Sequence, residues 1–259
     1  MENFRTAGTP PFNLVLVHGG PGAAGTMHQL APDLSRHTGV LEAFQTEASI
    51  QGQLAELYSQ IIEHAYPPVI LLGHSWGAWL SLMFAGRHPD LVRKLILVAS
   101  APFEDRFVPG IMETRMNRLD NKEKNRLSYL LKKIILPGND RKNAIFREIA
   151  RILKKADSFA PSEDYNEHVQ LDYSIYRSVW PEAEHMRRSG DLLYMAGKVR
   201  CPVLAIHGDH DPHPGDGVRI PLEERIRDFR FVLLEKCGHE PWTEKYARIG
   251  FYELLEKEL

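Results

Sequence analysis

Residues 69–89 read VILLGHSWGAWLSLMFAGRHP: the apolar run Val69–Leu72 enters Gly73-His74-Ser75-Trp76-Gly77 and then a helix-compatible stretch that Pro89 stops. The pattern predicts a strand, a sharp turn and a helix. Glycines at 73 and 77 remove the side chains that would clash in so tight a turn, and Ser75 at its apex is held in a strained backbone conformation with its hydroxyl above the sheet edge. The start of the following helix adds free N–H groups and partial positive charge beside that hydroxyl. The bland alternative is that Ser75 is only a helix N-cap.

Working outward, Asn13–Val17 and Lys94–Ala99 are further short runs of Val, Ile and Leu, separated from Val69–Leu72 by helix-compatible stretches such as Ser49–His64. Such runs predict parallel strands buried on both faces by crossover helices. The strand pattern returns at Pro202–His207 and Phe229–Glu235, before an amphipathic stretch around Tyr246–Leu255. Between them the apolar residues recur at helical spacing, for example Ile145, Ile149 and Ile152. The expected organisation is one discontinuous α/β core, 1–101 and 199–259, carrying a helical cap insertion, 102–198. The segment from Arg106 to Lys155 holds 14 Lys and Arg against five Asp and Glu, so the rest of the chain is acidic. Those cations form either solvated helix faces or an attraction for an anionic substrate or membrane surface.

Three further motifs end strands. His18-Gly19-Gly20-Pro21-Gly22 follows the first, and its glycines let backbone N–H groups approach a ligand closely. In acyl transfer the N–H groups of Gly20 and Trp76 would form the oxyanion hole. A plain turn is the alternative; a phosphate loop lacks both G-x-G-x-x-G and the P-loop lysine. His207-Gly208-Asp209-His210-Asp211 and Cys237-Gly238-His239-Glu240-Pro241-Trp242 follow the last two strands. In an open parallel sheet these strand ends share one edge, where ligands bind. Ser75, Asp211 and His239 are therefore the candidate catalytic set: nucleophile, acid that orients the imidazole, and base. Asp209, Glu104 and Asp105 are rivals for the acid. The density of His207, His210, His213, Asp209, Asp211 and Asp216 also admits a metal site, although no zincin motif accompanies it; the reading adopted has no metal and no cofactor.

The motifs HGGPG at 18–22, GHSWG at 73–77, HGDHD at 207–211 and CGHEPW at 237–242, in that order, resemble the α/β-hydrolase superfamily. HGGPG with GHSWG is most similar to its prolyl aminopeptidase branch. The resemblance implies an α/β-hydrolase fold with a helical cap and a Ser-His-Asp triad acting on an ester or amide through an acyl-enzyme. Two departures stand out. Members usually open with a two-stranded hairpin before the oxyanion strand, and so few residues precede Asn13 that a sheet of about six strands lacking that hairpin is expected. Prolyl aminopeptidases grip the substrate's α-amine with cap carboxylates, for which Glu182 and Glu184, near Trp180-Pro181, are the nearest candidates.

Composition bounds the rest. With 43% hydrophobic and 25% charged residues over 259, the chain is an ordinary globular one able to bury a core without disulfides or a structural metal. A net charge of −2 gives no ground for a nucleic-acid partner, no apolar run is long enough for a membrane span, and the N-terminus lacks a secretion-signal pattern, so a cytoplasmic location is expected. Cys201 and Cys237 fall at opposite ends of neighbouring strands, roughly 20 Å apart, too far to bridge. A small-molecule or short-peptide substrate is expected, and oligomeric state is left open. A receptor or scaffold built on the same fold, and a lyase using the same triad, are the alternatives.

Overall fold

The computed structural model describes residues 3–138, 140–162 and 169–259. Seven strands, β1 (Phe4–Ala7), β2 (Phe12–Val17), β3 (Gly39–Ala43), β4 (Val69–His74), β5 (Val92–Val98), β6 (Val203–Gly208) and β7 (Phe229–Leu234), form one sheet in the order β1-β3-β2-β4-β5-β6-β7. Every neighbouring pair is parallel except β1 with β3. Short α1 (Leu30–Leu34) leads into β3, while α2 (Ile50–His64) and α3 (Trp76–Arg87) make the crossovers on either side of β4. Between β5 and β6 lie α4 (Ile111–Arg118), α5 (Asn121–Ile134), α6 (Lys142–Asp157), α7 (Tyr173–Ser189) and α8 (Asp191–Ala196); α9 (Asp216–Glu223) and α10 (Arg248–Glu256) complete the chain.

The alternation of side chains along the strands explains why the apolar runs are continuous. Val15, Val17, Leu71, Leu95 and Leu97 point to the face covered by α2 and α3. Leu14, Leu16, Ile70, Leu72, Ile96 and Val98 point to the other, against Leu30, Leu34, Phe251 and Leu255. Both faces are dry, so no polar alternation survives. The helices after β5 divide. Leu127, Leu130, Ile134, Ile145, Ile149 and Ile152 close a small core of their own, whereas Val179, Ala183, Leu192, Met195 and Ala196 join the main core beside α3.

The expectation of about six strands is corrected to seven, and the N-terminal segment is not bare. Among the described residues no two-stranded hairpin precedes β2, but β1 lies antiparallel on β3 at the sheet edge. Its sequence FRTA carries a single large apolar residue, and β3 carries Glu42 where a core residue is expected. The two irregularities answer each other: Arg5 pairs with the carboxylate of Glu42, which is fully buried. Burial pushes the Glu42 carboxyl up, and the Arg5 guanidinium opposes that rise.

The elbow between β4 and α3 depends on its glycines. A Cβ on Gly77 would lie 2.2 Å from the carbonyl oxygen of Val17, and one on Gly73 would lie 2.2 Å from that of Gly77. Backbone meets backbone at both places, so no side chain can turn aside. Gly77→Ala is expected to destabilise the protein by about 3 kcal/mol or more by forcing α3 away from β2, read as a lower urea midpoint; a midpoint unchanged from wild type would show that the helix has room to shift.

Candidate active site

Ser75 sits at the β4–α3 junction with φ 53 and ψ −113, one of three non-glycine residues with positive φ among those described. This left-handed conformation costs a serine roughly 1–3 kcal/mol. It is held by the Ser75 N–H donating to the Val98 carbonyl at 2.9 Å and by the Ala78 N–H donating to the Ser75 carbonyl at 3.1 Å. The side chain is half-buried. The loop after β2 lies directly against it, since a Cβ on Gly19 would be 3.4 Å from the Ser75 Cβ. That loop is braced by fully buried His18, whose Nδ1–H donates to the Gly19 carbonyl at 2.7 Å while Nε2 accepts from the Gln45 N–H at 3.0 Å. Burial pushes the His18 imidazole down to about 4, which keeps Nε2 unprotonated and able to accept. Among the described residues neither the Gly20 nor the Trp76 N–H finds a backbone acceptor.

The candidate acid and the candidate base meet. Asp211, after β6, accepts from His239 Nδ1–H at 2.7 Å through Oδ2. Its other oxygen, Oδ1, accepts from both the backbone N–H of His213, at 3.0 Å, and the ring Nδ1–H of His213, at 2.8 Å. Burial opposes ionisation of this carboxyl, but His239, His213 and His207 together outweigh it and hold the group well below the usual carboxylate range. For His239, burial works against protonation, yet the charge and hydrogen bond of Asp211, helped by Asp157, raise it above the ordinary histidine value. For His213 burial wins, and the ring is pushed down. The side chain of His239 is 15% exposed, that of Asp211 not at all.

The residue before Ser75 touches this pair. His74, the last residue of β4, is buried, and its Nε2–H donates to the His239 carbonyl at 3.0 Å with the two ring centres 4.9 Å apart. Ser75 Oγ has no hydrogen bond among the described residues; such contacts are often loose before substrate binds. The rival acids are spent elsewhere: Asp209 accepts from the Cys237 N–H, Asp105 pairs with Arg187 and Glu104 with Arg106. Of the six residues read as a possible metal site, Asp209, His210 and Asp216 turn to other partners, while His207 stays 3.6 Å from Asp211. Asp211, His213 and His239 keep ligand atoms within 4.8 Å of one another and are the set that could hold an ion, but contacts of 2.7 and 2.8 Å are those of N–H donors on a carboxylate.

Two groups that sequence reading passed over complete the site. His213, weighed only as a metal ligand, is the second donor to Asp211. Glu244, fully buried, accepts the N–H groups of Phe159 at 2.8 Å, Ala160 at 2.7 Å and Gly238 at 3.0 Å, tying the segment after α6 to the His239 loop. The His239 N–H donates in turn to the Asp157 carbonyl at 2.9 Å. Nothing in the local pattern marks Glu244; its partners are far away in sequence.

A cavity of about 440 Å³ opens on Gly20 and His239 and is roofed by α4 and α6. Glu182 and Glu184 do not line it. Glu182 accepts the Ile50 N–H at 3.0 Å, at the start of α2, and Glu184 lies 3.9 Å from Arg187. The four tryptophans belong to the core or pack on it: Trp76, Trp79 and Trp242 are fully buried, and Trp180 stacks on Trp79. Both cysteines are buried and unpaired. No helix among the described residues is long and apolar enough to cross a membrane.

A family model described as the alpha/beta hydrolase fold matches residues 54–246. Proline iminopeptidase of Lactobacillus helveticus is 24% identical over 91% of this chain and 85% of its own length. Ethanol acetyltransferase 1 of Cyberlindnera jadinii is 25% identical over 54% of this chain, and the match spans about half of that enzyme, 48%. Among solved structures, VinJ superposes with a TM-score of 0.65 at 18% identity, covering 98% of this chain and 93% of that one, a likeness of fold alone.

Proposed function

Because the chain belongs to the alpha/beta hydrolase fold family, we propose that it is a serine hydrolase working through an acyl-enzyme. Ser75 Oγ attacks an ester or amide carbonyl and passes its proton to His239 Nε2; Asp211 fixes the imidazole tautomer and balances the cation that forms. The tetrahedral oxyanion accepts from the N–H groups of Gly20 and Trp76. His239 then protonates the leaving oxygen or nitrogen, and water repeats the sequence on the acyl-enzyme to release acid and Ser75. No cofactor is needed. Residues 102–198 act as the cap that shapes the substrate cavity over this edge of the sheet, and the two buried thiols suit a reducing cytoplasm.

The observation that carries the reading is the His239–Asp211 hydrogen bond of 2.7 Å at the same cavity as Gly20, beside a serine held at positive φ. Covalent labelling of Ser75 by a fluorophosphonate, located by mass spectrometry and lost on prior unfolding, is the expected result. Absence of labelling in the folded protein would favour a receptor or scaffold, and turnover with no acyl adduct would favour a lyase.

Within the class, the amine-binding role of the prolyl aminopeptidase branch loses its support from Glu182 and Glu184, neither of which lines the cavity. A p-nitrophenyl ester of a simple acid is therefore expected to be turned over with a higher kcat/KM than proline p-nitroanilide. The opposite order, with loss of the preference on N-acetylating the proline, would restore an aminopeptidase.

A further inference from the structure

The same cavity is walled by charge of one dominant sign. Arg147, Ala150, Arg151 and Lys154 line it from one face of α6, and Arg115 faces them from α4. Their spacing of i, i+3, i+4 and i+7 is that of a single helical stripe, and the opposite stripe, Ile145, Ile149, Ile152 and Ala156, is buried in the small core. Two of the cations have partners: Arg115 forms a bidentate pair with Asp157, and Lys154 lies 2.6 Å from Glu240. The other nearby acids are engaged elsewhere, Glu148 by Arg126 and Glu123 by Lys155. Among the described residues neither Arg147 nor Arg151 forms a hydrogen bond or ion pair with a carboxylate; Glu148, held by Arg126, acts on Arg151 only through space. Both side chains are exposed where they line the cavity, one helical turn apart and reachable by an incoming anion, whose oxygens match their fork geometry.

We propose that the cavity receives an ester or amide bearing a carboxylate or phosphate remote from the reacting carbonyl, with Arg147 and Arg151 as its anchor. This deepens the serine-hydrolase reading and rests on it. Helix α6 acts as a ruler. Its C-terminal end touches the His239 loop through the Asp157 carbonyl, and at a rise of about 1.5 Å per residue Arg151 and Arg147 lie roughly 9 and 15 Å back along the axis. Ala23, Leu153, Val169 and Leu171 supply apolar wall to the cavity. The fitting substrate thus has an apolar spacer with the scissile carbonyl at one end and the anion at the other.

The test compares mono-p-nitrophenyl suberate with its neutral methyl ester, which keeps the length and removes the charge, on wild type and on the double variant Arg147→Gln, Arg151→Gln. Wild type is expected to favour the anion in kcat/KM by about 10- to 100-fold, with the preference shrinking as salt is added and collapsing in the double variant, whose rate on the neutral ester stays unchanged. A second pair, the octanoyl esters of 4-hydroxybenzoate and of methyl 4-hydroxybenzoate, moves the anion to the leaving group; a preference there instead assigns the anchor to that side. Equal rates on charged and neutral partners in both pairs, or a preference that survives the double variant, overturns the proposal. If neither ester is turned over, the hydrolase reading fails separately. Calorimetric binding of monomethyl against dimethyl suberate to the Ser75→Ala protein then decides: selectivity for the anion that needs Arg147 and Arg151 supports the anchor, and no selectivity overturns it.

Discussion

Replacing Ser75 by alanine is expected to lower kcat on a short p-nitrophenyl ester by roughly 10⁴- to 10⁶-fold, with little change in the urea midpoint. The two halves of this result have separate causes. In the proposed mechanism the hydroxyl is the atom that forms the acyl-enzyme, and Cys237 cannot replace it: the thiol is buried and is pushed far up by burial in the presence of Glu244, Asp211 and Asp209, so no thiolate is available. Stability changes little because alanine must occupy the same φ of 53 and loses no hydrogen bond that the serine side chain makes among the described residues. Ser75→Gly separates strain from chemistry. It should be as inactive as alanine yet more stable by about 1 kcal/mol, since glycine adopts positive φ without a clashing Cβ. Retention of ester hydrolysis in the alanine variant would end the acyl-enzyme mechanism, and a glycine variant less stable than alanine would end the claim of stored strain.

How far the sequence could be read follows from where the information lies. The elbow was legible because its demands are local: apolar strand, glycine, serine, glycine and helix occupy one continuous stretch, and the close approaches of Gly73 and Gly77 are what those glycines exist for. The meeting of Asp211 with His239 was legible from their places after strands, since strand ends in a parallel sheet share an edge. Strand β1 was not, because Arg5 and Glu42 each spoil an apolar pattern and only their pairing across the sheet explains both. His213 misled because histidine near aspartate reads as a metal ligand as readily as a hydrogen-bond donor. Glu182 had the right kind of side chain in the right region, but helix α7 turns it to the start of α2 instead of the cavity. The basic segment announced its charge without its address. Half of the cations lining the cavity are neutralised by Asp157 and Glu240, and which ones remain is a property of packing alone.

That hydrogen-bond arrangement around Asp211 makes its isosteric replacement more damaging than loss of a charge would suggest. Asp211→Asn is expected to reduce kcat/KM by about 10⁴-fold although the side chain keeps its shape. In wild type Oδ1 accepts two N–H groups from His213 and Oδ2 accepts one from His239. An asparagine has one oxygen to offer, and the two donors of His213 claim it, which turns the amide N–H₂ toward His239. Two donors cannot face each other, so the imidazole must place its proton on Nε2, where it can no longer accept one from Ser75. The pH profile distinguishes this from general damage. Activity requires neutral His239, so the acidic limb of kcat/KM tracks its pKa, which Asp211 holds above the ordinary histidine value against the pull of burial. Removing that charge lowers the pKa, and the limb should move to lower pH while the plateau falls; Asp211→Ala, which frees the tautomer, should keep the shifted limb but lose less of the plateau than asparagine. A limb that stays at the wild-type pH would mean that His239 does not titrate against Asp211 in the working enzyme, and an alanine variant no better than asparagine would mean that the tautomer is not what the carboxylate controls.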